Sequence, residues 1–319
     1  MPRLLALAVL LLVTTAPAAD YPTHTLKSDQ LTLTVYLPDA ERGFYRGTRF
    51  DWSGVFSVEF GKHKLFGPWK GTHNPANNDY IVGPCDEFGN AAPLGYADAK
   101  PGGTFVKIGV GELEKAKDEK YSFFGRYKIV KPGEWKVTKD DSKVTFEQSL
   151  TAAGYAYKYT KIVAVSGAEV RIMHVLENTG TKAISTDHYN HNFFNVDADP
   201  VGSNYELEFP FAVKAAEPKE RFNELVKIDG KKVTLAGTID KGSIFAELGG
   251  FSTDSISRDA GVTMKHTPSG VTVRVTGDKP PSKYNLWGMK TTLCPEPYLQ
   301  IDLEPGKKTV WTWKYQFSK

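Results

Sequence analysis

Residues 186–197, TDHYNHNFFNVD, crowd His188 and His191, asparagines, and the rings of Tyr189, Phe193 and Phe194 into one strand-like stretch. In a strand, alternate residues face opposite sides, which puts Tyr189, His191 and Phe193 on one face and His188, Asn190, Asn192 and Phe194 on the other. A face that reads aromatic, imidazole, aromatic suits a sugar ring: the rings pack on its C–H surfaces and the imidazole hydrogen-bonds an oxygen. A satisfied core histidine fits the same residues. Far downstream, Glu296 lies between Pro295 and Pro297 at the end of an apolar run. Flanking prolines rigidify the backbone and exclude a regular central strand, which predicts a sheet end or bulge for Glu296. Desolvation on a partly apolar edge raises a carboxylate's pKa towards working pH, as a general base requires. A surface glutamate in a Pro-rich turn is the alternative.

Short, β-branched or aromatic runs dominate the chain that must position these groups: LTLTVYL (31–37), GVFSVEF (54–60), TFVKIGVG (104–111), KVTFEQSL (143–150), YAYKYTKIVAV (155–165), GVTVRVTG (270–277) and TVWTWKYQF (309–317). In the last, Trp311, Trp313, Tyr315 and Phe317 share one face. Turn signals separate them, among them KPGE, NTGTK, DGKK and EPGKK. Helical periodicity is nearly absent. GELEKAKDEK (111–120) is too polar to bury a face and reads as a solvated loop or single turn, and AEPKERFNEL (216–225) as a short helix. No linker or repeat divides the chain. These features predict an all-β protein, a large antiparallel sandwich with little helix, in one domain over 20–319.

The first nineteen residues stand apart. Arg3, the run LLALAVLLLV and the small residues of TTAPAAD predict a secretory signal peptide cut after Ala18 or Ala19. The expectation is an exported protein, periplasmic or extracellular, with no membrane span. Forty basic and 37 acidic residues leave a net charge of +3, which gives no field for a polyanion and argues against nucleic acid. Cys85 and Cys294 permit at most one disulfide. His63 and His73 flank GPWKG near Asp79, but at a spacing that matches no metal-ligand motif. KPGGTFVKIGVG (100–111) is glycine-rich without a following helix to bind phosphate. No metal or cofactor is expected.

HNFFNVD followed by LCPEP…LEPGKKTVWTWKYQF resembles the galactose mutarotase-like (aldose 1-epimerase) superfamily. HVLENTGTKAI (174–184) also resembles the strand–turn–strand leading into the family's histidine motif. The resemblance implies a β-supersandwich and a catalytic pair, at His191 and Glu296 here. Family members usually carry an earlier histidine in an H-G-[GF] context, where this chain has Leu94, and the N-R-I run of galactose-type enzymes is missing. YRGTRFDWSG (45–54) occupies the position of an early strand of hexose-phosphate mutarotases and supplies Arg46, Arg49, Asp51 and Trp52, while GPCDEFG (83–89) supplies Asp86 and Glu87. Arg49 and Glu87 either hydrogen-bond sugar hydroxyls or form a structural ion pair. With Tyr189, Asn190 and Arg46 they make the expected substrate-binding set. The activity implied is interconversion of sugar anomers by acid–base ring opening, with Glu296 as base and His191 as acid. A polysaccharide lyase-like enzyme and a non-catalytic carbohydrate-binding protein are the alternatives.

Overall fold

The computed structural model describes residues 20–252 and 257–319. The expected export signal, residues 1–19, lies outside the described residues. Alternation drives the architecture. Along strand Tyr155–Ser166, Tyr155, Tyr157, Tyr159, Lys161, Val163 and Val165 point inward and the residues that alternate with them outward. Trp311, Trp313, Tyr315 and Phe317 are all buried on strand Lys308–Ser318, as their spacing predicts.

Ten antiparallel strands form the larger sheet, from Val226–Asp229 at one edge to Trp135–Lys139 at the other, with Lys308–Ser318 beside Glu169–Asn178 within it. Six form the second sheet, in the order Lys214–Glu220, Ser243–Gly249, Lys283–Met289, Thr292–Leu303, Ile184–His191 and Cys85–Phe88. The two sheets face one another. Phe88 from the six-stranded sheet meets Tyr159 and Trp311 of the larger one at ring-centroid distances of 5.2 and 6.1 Å. A four-stranded and a three-stranded sheet flank them. The protein is thus an antiparallel β-sandwich with very little helix. Among the described residues, no helix is long and apolar enough to cross a membrane.

Three local expectations are corrected. Gly111–Glu114, read as loop, is a strand, because Leu113 is fully buried and supplies the apolar anchor that the flanking charges hide. It pairs with Thr104–Lys107 across a turn at Gly109, whose φ of +81° favours glycine and where a Cβ would lie 2.6 Å from Asp51 Cγ. All of 216–220 is strand, leaving only Phe222–Leu225 helical. Glu296 sits neither at a sheet end nor on a bulge. Strand Thr292–Leu303 runs unbroken through both prolines in the interior of its sheet.

The prolines are accommodated by opening one side of the ladder. Ile184–His191 pairs with Thr292–Leu303 up to Tyr189 opposite Tyr298. The same register resumes where Phe194 and Leu293 exchange hydrogen bonds of 3.0 and 2.9 Å. Pro295 and Pro297 share the parity of Leu293. They lack the N–H groups that would donate to the carbonyls of Asn192 and Asn190. The ladder is interrupted there, and Asn192 Nδ2 donates to Pro295 O at 2.5 Å. His191 stands opposite Glu296 at the intervening non-hydrogen-bonded position, where cross-strand side chains approach most closely.

Candidate active site

His191 Nε2 lies 3.1 Å from Glu296 Oε1, and both side chains are almost fully buried. They form part of the floor of a cavity of about 380 Å³ on the outer face of the six-stranded sheet, away from the core between the sheets. Tyr189, Tyr298, Asn285, Trp287 and Phe245 line it from the same sheet. Arg49, Trp69, Asp79, Asn90, Phe123 and Phe124 line it from loops. Trp69, Phe193 and His191 form a continuous stack, with centroid distances of 4.8 and 3.8 Å, and Trp287 stands edge-on to it.

Burial sets the protonation of the pair. It pushes Glu296 up to about 8, against the opposing pull of Arg49. Burial, followed by the Arg49 charge, holds His191 well below the usual imidazole range. Near pH 7 the contact therefore joins a protonated carboxyl to a neutral imidazole. That makes Glu296 the proton donor and His191 the acceptor, the reverse of the roles the resemblance implies. Between them they have one group that donates a proton and one that accepts it.

Arg49 and Glu87 form a buried ion pair. Arg49 Nε donates to Glu87 Oε2 at 2.8 Å, and Tyr189 OH donates to the same oxygen at 2.6 Å. Lys107 Nζ and Asn90 Nδ2 reach the other oxygen at 3.3 and 3.1 Å. Burial would raise the Glu87 pKa, but Arg49 and Lys107 outweigh it and hold the carboxylate ionised. Arg49 faces the cavity, whereas Glu87 stands behind it as a positioning residue. Replacing Glu87 with Gln keeps the size and removes the charge. It should cost about 1.5–3 kcal/mol, the scale of hydrogen bonds to charged groups. Thermal unfolding checks this; a wild-type midpoint would contradict the positioning role.

Asn190 and Arg46 do not join the site. Asn190 faces the core with His188, because neighbours on a strand point to opposite sides, and Arg46 does not line the cavity. Leu94 packs in the main core. His63 bonds Asp197 at 2.7 Å and His73 bonds Phe44 O at 2.8 Å, so Asp79 is left to pair with Arg49 and Lys70. Cys85 and Cys294 are both free and buried, on strands separated by the histidine strand.

Behind the site, Asp86 points into the core. It meets Lys161 Nζ at 2.6 Å, His174 Nε2 at 2.9 Å and His188 Nε2 at 3.1 Å. Burial opposes ionisation of Asp86, but Lys161 and His174 hold it well below the usual carboxylate range. Asp86, His174 and His188 place ligand atoms within 4.8 Å of one another, and the Lys161 ammonium supplies the cation beside Asp86. His191, Cys294 and Glu296 also place ligand atoms within 4.8 Å of one another.

No sequence-family profile matches the chain, and no curated protein matches it in sequence. Solved structures match it in fold. An aldose 1-epimerase candidate from Escherichia coli K12 superposes with a TM-score of 0.56 over 94% of this chain and 99% of its own, at 12% identity. A galactose mutarotase-like protein from Clostridium acetobutylicum gives 0.55 over 94% and 96%, also at 12% identity. The GalM/aldose epimerase homologue from C. elegans gives 0.53 over 94% and 99%, again at 12%.

The chain has the galactose mutarotase-like fold. Within that mutarotase-like frame, the sequence reading missed Trp69, Asn285, Trp287 and Tyr298. A signal existed for three of them. Lys290 and Thr291 form a two-residue turn between Lys283–Met289 and Thr292–Leu303, which sets Asn285 opposite Glu296 and Trp287 opposite Cys294. Tyr298 follows Glu296 by two on the same face. Trp69 sits on a loop, and nothing local announces its destination.

Proposed function

We propose that the protein is an aldose 1-epimerase-like mutarotase that interconverts sugar anomers by acid–base ring opening. The observation that carries this is the His191–Glu296 contact of 3.1 Å in an aromatic-walled cavity. Mutarotation removes a proton from the anomeric hydroxyl and delivers one to the ring oxygen. Both oxygens are bonded to C1, so acid and base must be close neighbours, and a pair sharing one proton meets that demand. Glu296 and His191 exchange roles as the ring opens, C1 rotates, and the ring recloses on the other face.

The lyase alternative has less support. A uronate needs a cation to neutralise it, and Arg49 is already paired with Glu87 and Asp79, Lys70 with Asp79, and Lys283 with Glu247. The test is polarimetry of freshly dissolved α-sugars across neutral hexoses, pentoses and uronic acids. Faster relaxation with wild-type protein supports the reading. Acceleration of none, or an ultraviolet-absorbing product from a uronate polymer, overturns it.

The acid–base pair also fixes a pH limb. Above about 8, Glu296 loses the proton that the pair needs to donate. The value of kcat/KM should fall there after subtraction of the hydroxide-catalysed background. Activity that stays level to pH 10 would contradict the assignment. Export is proposed on the apolar run after Arg3. N-terminal sequencing of protein from the native host should begin at Ala19 or Asp20, and an intact Met1 would refute it.

A further inference from the structure

Phe124 is the most exposed large apolar side chain among the described residues, at 69%, and it lines the same cavity as His191 and Glu296. An isolated exposed apolar residue needs no explanation. This one is held in place. Asn78 Nδ2 donates to the carbonyls on both sides of it, Phe123 O at 3.2 Å and Gly125 O at 2.8 Å. Gly125 N–H closes a turn onto Ser122 O at 2.9 Å, and Arg126 Nη2 reaches Ala76 O at 2.7 Å. The ring rests on Phe123 at 4.1 Å between centroids, and Phe123 in turn carries the Arg49 guanidinium at 4.4 Å.

The cavity also has a direction. Its acid–base pair is almost fully buried, whereas Phe124 stands in solvent. A reducing sugar must place C1 at the buried end, so any further sugar unit, linked through another carbon, leaves towards the mouth. A cavity of about 380 Å³ falls within the range that holds ligands larger than a single small ring. We propose that Phe124 is a stacking platform for a second sugar unit, and that the substrate is the reducing end of a neutral oligosaccharide. This rests on the mutarotase reading of the same site.

The experiment compares mutarotation of glucose, maltose, cellobiose and lactose by the full-length protein and by Phe124→Ala and Phe124→Trp. Wild type should prefer at least one disaccharide over glucose in kcat/KM. Phe124→Ala should lower that preference by on the order of 3- to 10-fold, the scale of an aromatic contact, and Phe124→Trp should retain it. Equal rates on glucose and every disaccharide, or equal losses on both in Phe124→Ala, would overturn the platform while leaving the mutarotase reading intact. If no sugar is turned over, that reading fails instead, and tryptophan-fluorescence titration with the same disaccharides decides the platform. Binding weakened by Phe124→Ala then supports it, and binding indifferent to the substitution overturns it.

Discussion

His191→Asn and Glu296→Gln should each slow anomer interconversion by about 100-fold or more, the loss expected when a positioned acid or base is removed. Both substitutions keep similar size and hydrogen-bonding capacity, so the cavity and its aromatic stack should survive. The side chains touch at 3.1 Å and serve one proton-transfer cycle. The double variant should therefore lose little more than either single one. Polarimetric relaxation of a freshly dissolved α-sugar measures all three. Full activity in both single variants would remove the pair from the chemistry, and strictly additive losses would show that the two act independently.

Asp86→Ala should destabilise the fold by roughly 3–5 kcal/mol, because it strands a buried ammonium. Lys161 Nζ would keep only Ser53 O at 2.7 Å and the more distant Asp51 at 3.8 Å, and His174 and His188 would lose their shared acceptor. In a chain of this size that is on the order of 5–15 °C in Tm. Pairing Asp86→Leu with Lys161→Met removes both charges and should recover much of the loss, since the cost lies in the uncompensated ion. Thermal unfolding followed by circular dichroism checks both. An Asp86→Ala variant melting at the wild-type temperature would show that the core tolerates the free lysine.

The fold was legible because apolar alternation survives in most strands, as in TVWTWKYQF, and because turns interrupt it at regular intervals. It failed to show where few apolar residues anchor a strand, as at Gly111–Glu114. His191 and Glu296 were legible as residue types, and the face assignment of Tyr189, His191 and Phe193 agrees with their place in the cavity lining. Glu296 was misplaced because prolines usually exclude a sheet interior. Here both fall on the side of the strand where the ladder opens. Cys85–Phe88 shows a further limit: Asp86 and Glu87 are adjacent in sequence, yet alternation sends one into the core towards Lys161 and the other to Arg49 beneath the cavity. Which cation each would meet depends on segments far away in the chain, 38 positions apart for Glu87 and Arg49, and charge alone does not encode it.

The central claim is that the His191–Glu296 pair turns over a bound sugar and does not merely hold it. Two-dimensional exchange NMR of a reducing sugar at anomeric equilibrium, recorded with catalytic amounts of protein near pH 7, tests this directly. Cross-peaks between the α and β anomeric protons should appear with wild-type protein and vanish with Glu296→Gln. Broadened sugar lines without exchange cross-peaks, for wild type and variant alike, would mean a carbohydrate-binding protein and contradict the account.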